Sequence, residues 1–185
     1  MPLSYKKKFY FIRHGETDFN KEKRYTGLYD ISLNKKGIEQ VNQSLYLLNE
    51  QNISLIYSSP LKRALETATI ISKYLNIPIK IIDNFKERDF GVFQAKKKPN
   101  YNKKCFYRGQ TLYVYQRDTI RGYKKINDNN FIIVAHSGTY KTLNKYLLNN
   151  NISKTVTNAF FVCFYMNDKK TWNILELNKR RTGTL

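Results

Sequence analysis

The amino-acid sequence predicts an α/β fold, a three-layer sandwich in which a mostly parallel sheet is flanked by helices. Three observations lead to this prediction. Short apolar runs alternate with amphipathic helical patterns, the run at 131–135 is apolar throughout, and no repeat or Pro/Gly-rich linker divides the 185 residues. We therefore expect one domain that covers residues 1–185.

The first strand is predicted at 8–13, where a short apolar run begins the alternation. An amphipathic helix is predicted at 34–51, with Asn34 as its N-cap. Its apolar positions recur at spacings of three and four residues, and they are Ile38, Val41, Leu45 and Leu48.

The second and third strands are predicted at 53–57 and 79–83, on either side of a helix that runs from Ser59 to about residue 76. Ser59 followed by Pro60 is typical of a helix start, a capping side chain and then proline at the first helical position. The apolar stripe of this helix consists of Leu61, Ala64, Leu65, Ala68, Ile71 and Leu75.

An irregular stretch at 84–110 precedes the remaining elements, which are a helix at 111–126, a strand at 131–135 and a helix to about residue 149. Two further strands, at 159–166 and 171–177, flank an Asn-Asp-Lys-Lys turn and predict a hairpin. The free edge of such a hairpin is a surface through which copies of the chain could pair.

The composition excludes several classes of protein. The formal net charge is +19, from 33 Lys and Arg against 14 Asp and Glu, yet the lysines are scattered and no nucleic-acid motif accompanies them. We expect no dedicated nucleic-acid partner, and codon composition is an alternative source of the lysines. The sequence also predicts no membrane span and no signal peptide. Cys105 and Cys163 cannot form a disulfide framework, so we expect a cytoplasmic protein.

Polar side chains follow the carboxyl end of each strand in the predicted parallel sheet. In chain order they are Arg13 and His14, then Ser58, Ser59 and Arg63, then Glu87, and finally His136. Because the carboxyl ends of parallel strands line one crevice, we expect these groups to converge. Each residue alone has an ordinary structural explanation, and only their joint placement points to a site.

Two arginines and two histidines would form a cage for a tetrahedral anion. A histidine among such cations is held neutral, and a neutral imidazole is a nucleophile that can form a covalent intermediate. Glu87 would supply a proton donor. The set indicates phosphoryl transfer through a phosphohistidine. Two histidines with no third ligand predict no zinc site, and we expect no metal.

The sequence resembles the histidine phosphatase superfamily, in its phosphoglycerate mutase-like branch. Six segments in the family's order carry the resemblance: Arg13-His14-Gly15-Glu16-Thr17 with Asn20, Gly27-Leu28-Tyr29-Asp30, Leu33-Asn34-Lys35-Lys36-Gly37-Ile38-Glu39-Gln40, Ser58-Ser59-Pro60-Leu61-Lys62-Arg63-Ala64, Glu87 with Phe90-Gly91, and Val134-Ala135-His136-Ser137-Gly138. The resemblance implies a phosphoglycerate mutase-like fold over nearly the whole chain.

The resemblance also implies a role for each site residue. His14 would be the phosphorylated nucleophile and Glu87 the proton donor to the leaving group, later the base for water. The phosphoryl oxygens would be bound by Arg13, Asn20, Arg63 and His136. The family needs no cofactor for hydrolysis, so the expected activity is that of a metal-independent, histidine acid-type phosphatase.

Departures from the family pattern bear on the substrate. Gly109-Gln110-Thr111 stands where Gly-Glu-Ser is common, and the chain lacks the long insertion of the true mutases between Glu87 and His136. A phosphatase is therefore expected, with mutase-type phosphoryl transfer as the alternative. A catalytically idle scaffold or binding protein is the other alternative, although all five central residues are retained.

The expected partner is a small anionic phosphorylated substrate. Segment 96–104 contains five lysines and falls where relatives have a substrate-covering loop. One hypothesis is that it attracts a multiply anionic substrate, such as a nucleotide or sugar bisphosphate. An ordinary solvated run of lysines is the interpretation that composition favours.

Overall fold

Six strands form one sheet in the part of the chain that the computed structural model describes, residues 7–49, 51–98, 108–150 and 156–178. They are β1 (Lys7–Arg13), β2 (Leu55–Ser58), β3 (Ile79–Ile81), β4 (Phe131–Ala135), β5 (Phe161–Met166) and β6 (Trp172–Glu176). Their order across the sheet is β3-β2-β4-β1-β5-β6. The first four of these are parallel, and β5 and β6 form the predicted antiparallel hairpin.

Helices cover both faces of this sheet. The α-helices of the described residues are α1 (Asp18–Lys21), α2 (Lys35–Ser44), α3 (Lys62–Leu75), α4 (Leu112–Lys124) and α5 (Ser137–Leu148). Shorter 3₁₀ turns lie at Leu45–Leu48, Asp83–Phe85 and Gly91–Phe93. Successive β1 side chains point to opposite faces, so Tyr10 packs in the core with α2 and α3, and Phe11 packs in the core with α5. The predicted three-layer α/β fold is confirmed.

The helix predicted at 34–51 is shorter than expected, because its α-helical part ends at Ser44 and a 3₁₀ turn continues to Leu48. Asn34 is its N-cap as predicted, and its Oδ1 accepts from the Gly37 N–H at 2.8 Å. The inward face starts at Gly37, which has no apolar side chain to mark it. For this reason the predicted apolar face begins one residue too late, at Ile38, which is 44% exposed.

The predicted start of the next helix was wrong. Helix α3 begins at Lys62, and Leu61 rather than Ser59 precedes it. The Ser59 hydroxyl instead accepts from the Leu61 N–H at 3.3 Å and contacts His136. The buried face of α3 includes Arg63, whereas Leu65 of the predicted stripe is 37% exposed. Within the described residues, no helix combines the length and apolar character needed to cross a membrane.

Candidate active site

The two histidines lie next to each other, because β1 and β4 are neighbours in the sheet. Arg13 pairs with Ala135 in the parallel register, so His14 and His136 directly follow paired residues. The His14 N–H donates to the Ala135 carbonyl at 3.0 Å, and the two ring centres are 5.2 Å apart. Both side chains are buried. The topology thus brings together two imidazoles that are far apart in the sequence.

The His14 ring is held in one tautomer. Its Nδ1 lies 2.7 Å from the Gly15 carbonyl oxygen, which can only accept, so Nδ1 carries the proton in this bond. Burial, and then the charges of Arg63 and Arg13, lower the pKa of His14 well below 6.5. The neutral ring therefore presents an unprotonated Nε2 at neutral pH. A Cβ at residue 15 would lie 2.5 Å from the Gly37 carbonyl oxygen, so this close loop packing requires glycine.

The His136 ring contacts Ser59, the residue that directly follows β2. Its Nε2 lies 2.9 Å from Ser59 Oγ, and its buried Nδ1 has no hydrogen-bond partner among the described residues. Burial, and then Arg63, His14 and Arg13, lower the pKa of His136 well below 6.5. Sequence reasoning placed Ser59 near the site but assigned its side chain to helix capping. Only the sheet order shows that its hydroxyl orients the second imidazole.

Two buried guanidinium groups, those of Arg13 and Arg63, lie close enough to both histidines for their charges to act on them. Arg63 donates from Nη1 to the Tyr29 carbonyl at 3.0 Å and from Nη2 to the Gly27 carbonyl at 2.8 Å, while Arg13 donates to the Val156 carbonyl. The Nε atoms of both arginines are buried and have no partner among the described residues. Burial lowers the pKa of each to about 10, so both stay charged at neutral pH.

Neither arginine belongs to an ion pair within the described ranges. Buried charges are normally paired, because desolvation without compensation is costly. Two buried guanidinium groups with unfilled N–H donors beside two neutral imidazoles form a site suited to an anion. This arrangement is the central physical feature of the molecule.

Glu87 follows the 3₁₀ turn Asp83–Phe85 and lies close to the first turn of α5. It is half-buried, its Oε1 accepts from the Arg88 N–H at 2.9 Å, and its charge acts on both Arg13 and Arg63. A Cβ at Gly138, in the first turn of α5, would be 2.5 Å from Glu87 Oε1. The carboxyl group can therefore approach the end of β4 because residue 138 has no side chain.

Asn20 is tied to the His14 loop by a residue that sequence reasoning missed. Its Oδ1 accepts from the Thr17 N–H at 3.2 Å and from Asn158 Nδ2 at 3.0 Å. Asn158 also donates to the carbonyls of His14 and Gly15, both at 3.1 Å. With its Oδ1 occupied, Asn20 has its Nδ2 protons as the group suited to an anion. No sequence signal marks Asn158, which lies before β5 and outside every motif.

Two lysines, Lys98 and Lys141, also interact electrostatically with charged groups of the site. Burial, and then Arg13, lower the pKa of Lys98, and Glu87 acts in the opposite direction. Burial also lowers the pKa of Lys141, which interacts with the same two charged groups. Both ammonium groups therefore lie near the site. Of the basic segment, residues 96–98 are described, while 99–104 and Cys105 lie outside the described residues.

No group of three His, Cys, Asp or Glu side chains in the described part of the chain is arranged to hold a metal ion. A family model described as the histidine phosphatase superfamily (branch 1) matches residues 9–111, more than half of the 185 residues. The chain belongs to the histidine phosphatase superfamily. The match contains Arg13, His14, Arg63 and Glu87, and His136 lies beyond it.

Relatives of this superfamily member include proteins named as phosphatases and as mutases. The uncharacterized phosphatase PhoE of Bacillus subtilis is 34% identical over 140 residues, which are 71% of this chain and 72% of that protein. A 2,3-bisphosphoglycerate-dependent phosphoglycerate mutase of Hamiltonella defensa is 32% identical over 144 residues, 75% of this chain but only 57% of the mutase. The α-ribazole phosphatase structure from Shigella flexneri shares the fold, with a TM-score of 0.81 and 22% identity over 96% of this chain and 99% of that one.

Proposed function

We propose that the protein is a phosphomonoesterase that hydrolyses a small phosphorylated metabolite through a phosphohistidine on His14. The observation that carries this proposal is the unprotonated Nε2 of His14 beside the unfilled Nε–H donors of Arg13 and Arg63. Both arginines, with Asn20 and His136, would bind the phosphoryl oxygens. Their donors are in place before the reaction, so charge that develops on those oxygens is stabilised without reorganisation.

The reaction has two steps. In the first, the Nε2 lone pair of His14 attacks phosphorus, the ester P–O bond breaks, and protonated Glu87 gives its proton to the leaving oxygen. In the second, Glu87 accepts a proton from water, whose oxygen attacks the phosphohistidine and releases inorganic phosphate. The positive charge comes from the guanidinium groups, so we propose that no metal or organic cofactor takes part and that activity survives EDTA.

The test is phosphate release from 4-nitrophenyl phosphate by the wild type and by His14→Ala. We expect turnover and an acid-labile, alkali-stable phosphoryl label on the wild-type chain, and neither in the variant. Lys145→Ala, at an exposed position of α5, is the matched control and should keep both. Turnover that survives His14→Ala would refute the nucleophile. Absence of both turnover and label in the wild type would favour the idle binding protein.

The substrate class is a finer part of the proposal. Lys98 and Lys141 interact with Arg13 and Glu87, which supports a substrate with a second anionic group. Lys98→Gln should then lower kcat/KM for a bisphosphate more than for an aryl phosphate, and Lys145→Gln, at an exposed position of α5, is the control. Equal effects on both substrates would leave Lys98 as a solvated lysine.

Mutase-type transfer remains the second candidate, because a curated relative is named as a mutase. It is distinguished by the fate of the label, which passes to a second phosphorylated substrate rather than to water. A cytoplasmic location is also part of the proposal, supported by the free, buried thiol of Cys163.

A further inference from the structure

We infer that Tyr115 is a positioning residue that holds Glu87 in place as the proton donor, an inference that rests on the function proposed above. Tyr115 lies in the first turn of α4, and its side chain is only 4% exposed. Its hydroxyl oxygen lies 3.2 Å from Thr139 Oγ1 on α5 and, together with Glu87 Oε1, borders the space that a Cβ at residue 138 would fill. The phenol thus links the acid to the helix that follows His136.

The direction of these hydrogen bonds follows from the number of protons. A phenol has one proton, and an ionised carboxylate can only accept, so in the proposed pair the Tyr115 hydroxyl donates to Glu87. Thr139 must then donate its own proton to the Tyr115 oxygen. Burial and the charge of Glu87 raise the pKa of Tyr115 well above 10, in keeping with a hydroxyl that remains a donor throughout.

The geometry around Gly138 supports the same pairing independently. The point where a Cβ at residue 138 would be is 2.5 Å from Glu87 Oε1 and 2.7 Å from the Tyr115 hydroxyl oxygen. Carboxyl group and phenol therefore occupy the space that a side chain at 138 would fill. The Arg88 N–H donates to Glu87 Oε1, and in the proposed pair the Tyr115 hydroxyl donates as well, so both stabilise the carboxylate that forms when its proton leaves.

The experiment uses leaving-group dependence. Nitrophenolate leaves readily without a proton, whereas the phenolate of phenyl phosphate needs one. Tyr115→Phe should lower kcat/KM for phenyl phosphate on the order of tenfold, the loss expected for one hydrogen bond to a charged group. For 4-nitrophenyl phosphate the loss should stay below about threefold. The inhibition constant of inorganic phosphate should not change, because the arginines are untouched.

Tyr113→Phe is the matched control, because Tyr113 lies on the same helix and is 73% exposed. If Tyr115→Phe does not fold, Thr139→Val removes the hydroxyl that supports the phenol from a second helix and should act in the same direction, with a smaller effect. Equal losses on both esters in an active variant would overturn the inference and leave the proposed function intact. A wild type that hydrolyses neither ester would overturn both.

Discussion

The substitution Gly138→Ala is expected to separate catalysis from folding. The added Cβ would lie 2.5 Å from Glu87 Oε1 and 2.7 Å from the Tyr115 hydroxyl oxygen. Residue 138 lies in the first turn of α5 and has no positive φ, so alanine is compatible with the backbone. The change therefore acts on the acid through side-chain contact alone.

The size of the effect follows from these distances. Ordinary contact requires the Glu87 carboxylate to retreat by about 1 Å. A displacement of that size at a reacting group costs about 10²-fold in rate. Alanine is favoured over glycine in a helix by roughly 0.5–1 kcal/mol. Displacing the buried Tyr115 side chain costs about 1–3 kcal/mol. The net loss of unfolding free energy is then at most about 2.5 kcal/mol, or a Tm lower by no more than about 10 °C.

The assay compares kcat/KM for phenyl phosphate with thermal unfolding of the same preparation. We expect Gly138→Ala to lose about 10²-fold in kcat/KM and to remain folded at the assay temperature. The exposed-site variant Lys145→Ala, two turns further along α5, should match the wild type in both measurements. Wild-type activity in Gly138→Ala would refute the placement of Glu87 as proton donor, since the carboxylate cannot stay where it is beside the new methyl group.

Three further measurements test other parts of the site. Burial and the arginines lower the pKa of His14 and of His136 well below 6.5, so below that pH the unfolded chain binds protons that the folded protein does not. The unfolding free energy should therefore decrease on acidification by about 1.4 kcal/mol per pH unit for each histidine, and urea titrations should show a slope smaller by that amount in His136→Asn. Arg63→Met should lower kcat/KM for 4-nitrophenyl phosphate about 10²–10³-fold, and a loss under tenfold would contradict its role as an anion donor. Asn158→Ala removes the donor to the carbonyls of His14 and Gly15, so we expect about tenfold lower activity; unchanged kinetics would show that the loop holds without it.

The fold could be predicted because its signals are local. Apolar runs marked the strands, Asn34 marked a helix start, and the rule for parallel sheets placed Arg13 and His14 near His136. The wrong start of α3 has a different kind of cause, a residue whose side chain is used by a distant partner. Ser59 has the sequence context of a helix cap, yet its hydroxyl contacts His136 across the sheet, and α3 begins later.

Polar side chains that reach the site from another layer of the fold are the hardest to recognise in the sequence. Tyr115 occupies an inward position of α4 and is indistinguishable in sequence from an aromatic core residue, because periodicity reports burial and not the partner of a hydroxyl. The signal appears only when α4 and α5 are packed together and Gly138 leaves room for Glu87 and the phenol to meet. The histidines and arginines could be identified from their positions after the predicted strands. The side chains that orient the site, such as Ser59 and Asn158, could be identified only from the tertiary structure. Substitutions at Tyr115, Ser59 and Asn158 therefore test the structure itself, since none of their proposed roles follows from the sequence.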